Sequence, residues 1–294
     1  MPEKTGKIQG AEPVNIQVGK FYQRPFQKGE DTLIKTSLAQ LSFGLKTMML
    51  PKNHVYIVHS SMLKFGVVEG GLKGVFNCLK ETLGPSATIL MPAFTFSFAN
   101  TTFWDYHASK AETGALTEYF RKLPGSRRTI HPFHSLTVSG PLASSFVGCT
   151  NLSSFGLGSP FELLYDMEAI NISLGTDFQG GGTFLHHTEE LARVPYRFYK
   201  DFPGEVVGED GKKLSRIYNM YVRKISETYE YHNRWDHVLD DFLNEGLATH
   251  IKVNGAKLFA FHIKPTHDSF LQRLTMDPFY CASKKYFYIG ESNE

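Results

Sequence analysis

Apolar residues recur in two rhythms along the first two thirds of this chain. Val55-Tyr56-Ile57-Val58, Thr88-Ile89-Leu90-Met91, Leu136-Thr137-Val138-Ser139 and residues 169–174 are short runs with the length and β-branched content of buried strands. Between them the spacing changes to helical. Residues 70–83 put Leu72, Val75, Phe76 and Leu79 on one face, and residues 113–123 do the same with Leu116, Tyr119, Phe120 and Leu123. Shorter helices are predicted over 143–146 and 160–165, the latter capped by Ser159 with Pro160 in the first helical position. Asp31 is placed to cap a helix carrying Leu33, Ile34, Leu38, Leu41 and Leu45. Alternation of short strands with amphipathic helices predicts an α/β layer architecture.

The rhythm weakens at both ends. Residues 1–30 mix Gly, Pro, Gln and Lys without period and are expected to form a mobile arm ahead of a domain over 31–290. Residues 191–216 are polar and broken by Pro and Gly, so an irregular C-terminal portion is expected there. Residues 216–224 alternate like a strand, 237–245 and 269–274 read as helices, and 251–260 read as a hairpin turning at Asn254-Gly255.

Composition narrows the function classes. Thirty-one Lys and Arg against 29 Asp and Glu leave a net charge of +2, with no dense basic run to follow a nucleic acid. No apolar run reaches membrane-spanning length and the first residues lack the apolar centre of a secretory signal, so neither membrane nor export is expected. Cys78, Cys149 and Cys281 are too few and scattered for a disulfide framework or zinc knuckle, which points to a reducing, cytoplasmic setting. Cys78 lies in a helical apolar pattern and reads as core.

The chemistry concentrates after the strand at 169–174. A Gly cluster (Gly180, Gly181, Gly182) and Thr183, a candidate N-cap, lead into Phe184-Leu185-His186-His187-Thr188-Glu189-Glu190. His186 and Glu189, three apart, share a helical face, so one carboxylate can orient one imidazole as a general-base dyad. A metal reading, with His186 and Glu190 as ligands one turn apart, finds neither a His-Glu-x-x-His motif nor a third ligand, and no metal is expected. Gly156 to Pro160 falls short of a nucleophile elbow because Phe161 stands where that motif needs Gly. Gln179 to Phe184 likewise fails at its last position as the phosphate loop of the common acetyltransferase fold.

Three further segments accompany the His186 run in a fixed order. They are Val58-His59-Ser60-Ser61-Met62-Leu63-Lys64-Phe65-Gly66 followed by Glu69-Gly70-Gly71; Gly114-Ala115-Leu116-Thr117-Glu118 leading to Arg127-Arg128-Thr129-Ile130-His131-Pro132-Phe133-His134-Ser135; and Gly156 to Leu164. With Thr183 to Glu189, these four blocks resemble the aminoglycoside 3-N-acetyltransferase family, over residues 33–280. The resemblance implies one three-layer α/β/α sandwich around a mixed sheet, acetyl-CoA as co-substrate, and His186 as general base with Glu189 holding its ring. It implies cofactor contacts from Ser60 and Ser61, and from Arg128, His131, His134 and Ser135, a block that lies against the CoA site in the family. Backbone N–H groups or hydroxyls near Ser60, Ser61 or Thr183 are candidate oxyanion donors, and the sequence does not choose among them.

The chain departs from the pattern at two places. His187 stands where relatives carry an apolar residue, and residues 227–241 match no block. Asp177, His187 and Glu190 are expected on the acceptor side, with residues 191–245 as an acceptor-binding subregion. The near-neutral charge favours an amino-sugar acceptor bearing phosphate over a polycationic antibiotic, although Asp177, Glu189, Glu190 and Asp201 could form a local acidic pocket. A resistance enzyme, a metal-dependent hydrolase using His186 and Glu190, and a catalytically silent relative that binds CoA or a nucleotide remain as alternatives. Assembly as a homodimer is compatible with the sequence.

Overall fold

Strand Val55–Ser60 is buried along its whole length and forms the centre of the molecule. Its side chains alternate between two apolar clusters: Val55 and Ile57 belong to one, Tyr56 and Val58 to the other. A strand buried on both faces needs a helical layer on each side, and that requirement produces the three-layer sandwich. The computed structural model describes residues 34–287, so the expected arm at 1–30 lies outside the described residues.

On the Tyr56 side pack helices Leu38–Thr47, Gly71–Leu83 and Ala115–Arg121, through residues such as Leu41, Leu45, Val75, Leu79, Leu116 and Phe120. On the Ile57 side pack helices Pro160–Asp166, Leu185–Leu191, Asp236–Asn244 and Ile263–Met276, through Phe161, Leu164, Leu185, Phe242 and Phe270.

Among the described residues the main sheet has seven strands. Ile170–Leu174, Val55–Ser60 and Thr88–Pro92 run parallel, with Ile57 opposite Asn171 on one side and Leu90 on the other. Antiparallel strands flank them: Leu136–Ser139 and Arg127–Arg128 beyond Thr88–Pro92, Ala256–His262 and Ala248–Val253 beyond Ile170–Leu174. The last pair is the expected hairpin. Asn254 and Gly255 both take positive φ, 48° and 83°, as a two-residue turn matched to strand twist requires. Because the three central strands are parallel, their carboxyl ends open together, the usual position of a site in such a sheet.

Three expectations are corrected. The first described helix begins at Leu38 under a capping box of Ser37 and Gln40, while Lys35 and Thr36 pair in extended form with Val67 and Val68. A complete cap at Ser37 outcompetes the looser periodicity upstream. The stretch expected to be irregular holds an eleven-residue strand, Arg197–Val207, paired antiparallel with Lys213–Arg223 and extended by Phe103–Asp105. This second sheet covers its own cluster of Phe98, Trp104, Phe133, Phe202, Val206 and Tyr218. The final helix is longer than expected, Ile263–Met276 rather than 269–274.

Candidate active site

After strand Ile170–Leu174 the chain makes a short helix, Phe178–Gly181, capped by Asp177, whose Oδ1 accepts the Gly180 N–H at 2.7 Å. It then enters helix Leu185–Leu191 without a side-chain cap, so Thr183 does not fill the expected capping role. Helical geometry brings His186 and Glu189 together: Nδ1 lies 2.5 Å from Glu189 Oε2. The carboxylate is fully buried, yet the imidazole keeps 22% of its side-chain surface exposed. Phe155 and Trp235 cover the ring, with centroids 5.2 and 4.7 Å away.

A buried carboxylate must be matched by donors, and Glu189 has several. The Arg197 guanidinium reaches Oε2 at 3.0 Å, the same oxygen that His186 uses. Tyr196 donates its hydroxyl to Oε1 at 2.6 Å, and the Cys281 thiol approaches Oε1 at 3.5 Å. Burial pushes the Glu189 carboxyl up, but Arg197, His186 and Tyr196 together outweigh it and hold the group down at about 2. Glu189 is therefore an anion at neutral pH. Burial lowers the pKa of His186, Arg197 lowers it further, and Glu189 opposes without reversing the direction. The ring is neutral at rest, with Nδ1 committed to Glu189 and Nε2 left to take a proton.

The neighbouring side chains do not form the acceptor surface expected of them. His187 is buried, its Nδ1 2.5 Å from the Phe155 carbonyl and its ring beside His267. Its direction is fixed by helical phase, 100° from His186, so it faces the core. Glu190 is also buried: Oε1 accepts from Ser153 at 2.5 Å and from Tyr199 at 3.2 Å, and burial raises its pKa. His186 and Glu190 thus engage different partners instead of converging on one point. Among the described residues no group of three His, Cys, Asp or Glu is placed to hold a metal ion. Asp177 is exposed and serves as a helix cap beside a shallow depression shared with Asp236, Asp240 and Lys257.

The Arg128 block is corrected most strongly. Arg128 is 2% exposed, and its guanidinium binds Ser135 Oγ at 2.9 Å, the Ser109 carbonyl at 2.6 Å, Thr95 Oγ1 at 3.0 Å and the Ala93 carbonyl. It also lies over the Trp104 ring at 4.6 Å. Little donor capacity remains for a phosphate, so Arg128 ties loops together instead of presenting charge. Ser135 is fully buried and donates to the Ala93 carbonyl at 2.7 Å. His131 accepts the His134 N–H at Nδ1 and meets the Leu152 carbonyl through Nε2, which makes it a neutral structural ring. His134 approaches the dyad: its ring packs on Phe155 at 4.4 Å, the same phenyl that covers His186. Arg128→Ala is accordingly expected to cost about 3 kcal/mol of stability, by stranding buried carbonyls and leaving a cavity, and to spare the Michaelis constant for any CoA substrate. Thermal melting alongside saturation kinetics checks both halves.

Ser60 ends the central strand with its Oγ buried and unpartnered, and the Ser61 N–H bonds the Leu174 carbonyl. The chain then runs through Gly66 and Gly70 to helix Gly71–Leu83, whose first turn has no side-chain cap and at Gly71 faces open space. Free N–H groups at a helix start suit an anion. Sequence reasoning missed Tyr196, Arg197, Trp235 and Cys281, which complete the surroundings of the dyad. Tyr196 and Arg197 fall in the polar stretch expected to be irregular, and Cys281 reaches Glu189 from 92 residues away.

The model of the aminoglycoside 3-N-acetyltransferase family matches residues 57–275. The chain belongs to that family. Aminoglycoside N(3)-acetyltransferase III of Salmonella sp is 27% identical over 188 residues, 58% of this chain and 65% of the relative; the chain therefore aligns with just under two thirds of that protein's length. The prophage-derived aminoglycoside N(3')-acetyltransferase-like protein YokD of Bacillus subtilis is 26% identical over 213 residues, 64% of this chain and 76% of its own. Among solved structures, AAC-IIIb in binary complex with CoASH superposes with a TM-score of 0.70 at 21% identity, covering 82% of this chain and 97% of that one. At that identity the likeness establishes the shared fold.

Proposed function

We propose that this family member transfers an acetyl group from acetyl-CoA to the amine of an amino sugar, with His186 as general base. The observation that carries the reading is a neutral, partly exposed imidazole whose Nδ1 is held by a buried anionic carboxylate. A protonated amine has no lone pair with which to attack a thioester. The acceptor therefore first loses its ammonium proton to solvent; His186 Nε2 then takes a second proton from the nitrogen as it bonds to the thioester carbonyl carbon, and Glu189 stabilises the imidazolium that forms. Collapse of the tetrahedral intermediate breaks the carbon–sulfur bond, and the leaving sulfur takes up the proton that His186 carried.

Direct transfer is favoured over an acyl-enzyme. Burial pushes the thiol pKa values of Cys78, Cys149 and Cys281 upward, which suppresses the thiolate a covalent route would need. For the co-substrate, the CoASH bound to AAC-IIIb supports a CoA site here, and Ser60, Ser61 and the uncapped start of helix Gly71–Leu83 fit a phosphate or pantetheine amide.

Residues 191–245 remain the proposed acceptor subregion, since Arg197 and Trp235 from that stretch surround the base. Arg223 adds positive charge near His186, which suits a mono-amino sugar carrying phosphate better than a polycation. A reducing cytoplasm suits three free cysteines. No helix among the described residues is long and apolar enough to cross a membrane. Release of CoA thiol, followed over aminoglycosides and nucleotide-linked amino sugars at low and moderate salt, tests the proposal. Turnover with at least one amino sugar is expected, with phosphate-bearing acceptors preferred. Silence across the panel together with no calorimetric binding of acetyl-CoA overturns the acetyltransferase reading.

A further inference from the structure

A histidine hydrogen-bonded to a buried carboxylate ordinarily becomes a stronger base, because the anion favours the imidazolium. A pair of that kind risks being protonated at neutral pH, when it must accept a proton. Here His186 does not hold Glu189 alone. Glu189 Oε2 sits 2.5 Å from His186 Nδ1 and 3.0 Å from the Arg197 guanidinium, so one oxygen serves two donors. Arg197 is 8% exposed and anchored independently, to the Tyr221 carbonyl at 3.2 Å and Asn233 Oδ1 at 3.1 Å. Its position is set by the hairpin Arg197–Val207/Lys213–Arg223 and strand Tyr229–Asn233, not by the helix that carries the dyad.

We propose that Arg197 is a positioning residue that sets the basicity of His186 by sharing its carboxylate oxygen, keeping the imidazole unprotonated at neutral pH. The inference rests on the reading of His186 as the base, but its physical content concerns the ring alone. The charged and titratable groups around the ring come from several elements. Glu189 and Glu190 lie on its own helix, the latter directed to Ser153 and Tyr199. Arg197 and Arg223 come from the hairpin, and both act against a positive imidazole. His134 approaches behind Phe155. Tyr196 and Cys281 occupy Glu189 Oε1, which leaves Oε2 as the oxygen His186 and Arg197 must share. Phe155 and Trp235 supply apolar cover. Within this set Arg197 is the cation in direct contact with Glu189 Oε2, placed both to weaken the Glu189–imidazolium attraction and to add repulsion of its own. Glu189 is then stable as an anion, yet compensates the imidazolium only in part, a balance suited to a base that must load and unload a proton in each cycle.

The test is the NMR titration of the His186 ring in the full chain, with the pH profile of kcat/KM as a second readout. In Arg197→Gln the titration midpoint should rise by about one pH unit or more, and the acidic limb of the activity profile should move up with it. Arg197→Lys, which keeps the charge, should stay near the parent midpoint. An unchanged midpoint in folded Arg197→Gln overturns the proposal, as does a rise of equal size in Arg197→Lys. Should Arg197→Gln fail to hold its fold, the double variant Arg197→Met with Glu189→Gln removes both charges. Its midpoint must then lie above that of Glu189→Gln alone, and equality overturns the proposal. If the midpoint moves as expected but the protein acetylates no amine, the functional reading fails and the electrostatic role of Arg197 stands.

Discussion

Replacing His186 by Ala is expected to lower kcat/KM by about two to four powers of ten, the range for loss of a general base, with little change in melting temperature or acetyl-CoA affinity. Both halves follow from geometry. The ring is the exposed member of an otherwise buried cluster, so its removal strands no core group except Glu189, which retains Arg197 and Tyr196. Glu189→Gln should reduce activity less, because an amide can still orient the ring but cannot offset the imidazolium charge. It should cost more stability than His186→Ala, since Arg197 is then left without its buried anion. Steady-state kinetics with calorimetric titration of acetyl-CoA separates the two effects. A mild His186→Ala beside a crippling His187→Ala would show that the wrong ring has been assigned.

The second large effect concerns acid. His59, His131 and His267 are buried, and burial lowers the pKa of each to about 4. Burial also drives His134 well below its ordinary value. In the unfolded chain these rings titrate near 6.5, so below that pH the unfolded state binds protons the folded state refuses. Their stabilising contribution is complete above about pH 6.5 and is lost as pH falls toward 4. Each ring removes about 1.4 kcal/mol per pH unit across that window, so His59, His131 and His267 together remove about 4 kcal/mol per unit, and His134 adds to the loss. Against a typical stability of about 5–15 kcal/mol, cooperative unfolding is expected between about pH 4 and 5.5. Trp104 and Trp235 are both buried and report it by fluorescence. Unchanged emission down to pH 4 would contradict the account of these histidines as neutral core residues.

The sequence carried the centre of the fold because burial leaves a local trace there. The continuous apolar runs mark strands covered on both faces, and Asn254-Gly255 names its own turn. Strand Arg197–Val207 left no such trace. It includes Pro203 and Gly204 and is exposed over much of its length, so neither a continuous run nor a clean alternation survives. The His186–Glu189 pair was legible because three-residue spacing on a helix is a local contact. Cys281 and Trp235 reach the same point only through tertiary packing, which periodicity does not encode. Arg128 misled for a different reason. An arginine beside histidines and a serine has the donors a phosphate needs, but residue type does not reveal that Ser109, Ala93, Thr95 and Ser135 already use them. His187 and Glu190 fail likewise, since helical phase turns them toward the core.

The proposed reaction is direct acetyl transfer from CoA to an amine through His186. It is tested most directly by a single-turnover reaction of the full chain with isotope-labelled acetyl-CoA and a phosphate-bearing amino sugar, stopped by acid and read by mass spectrometry of acceptor and intact protein together. One labelled acetyl group is expected on the acceptor amine and none on the protein at any time, with formation of that product slowed by at least about a hundredfold in His186→Ala. Label accumulating on the protein before it reaches the acceptor, or undiminished transfer in His186→Ala, would contradict it.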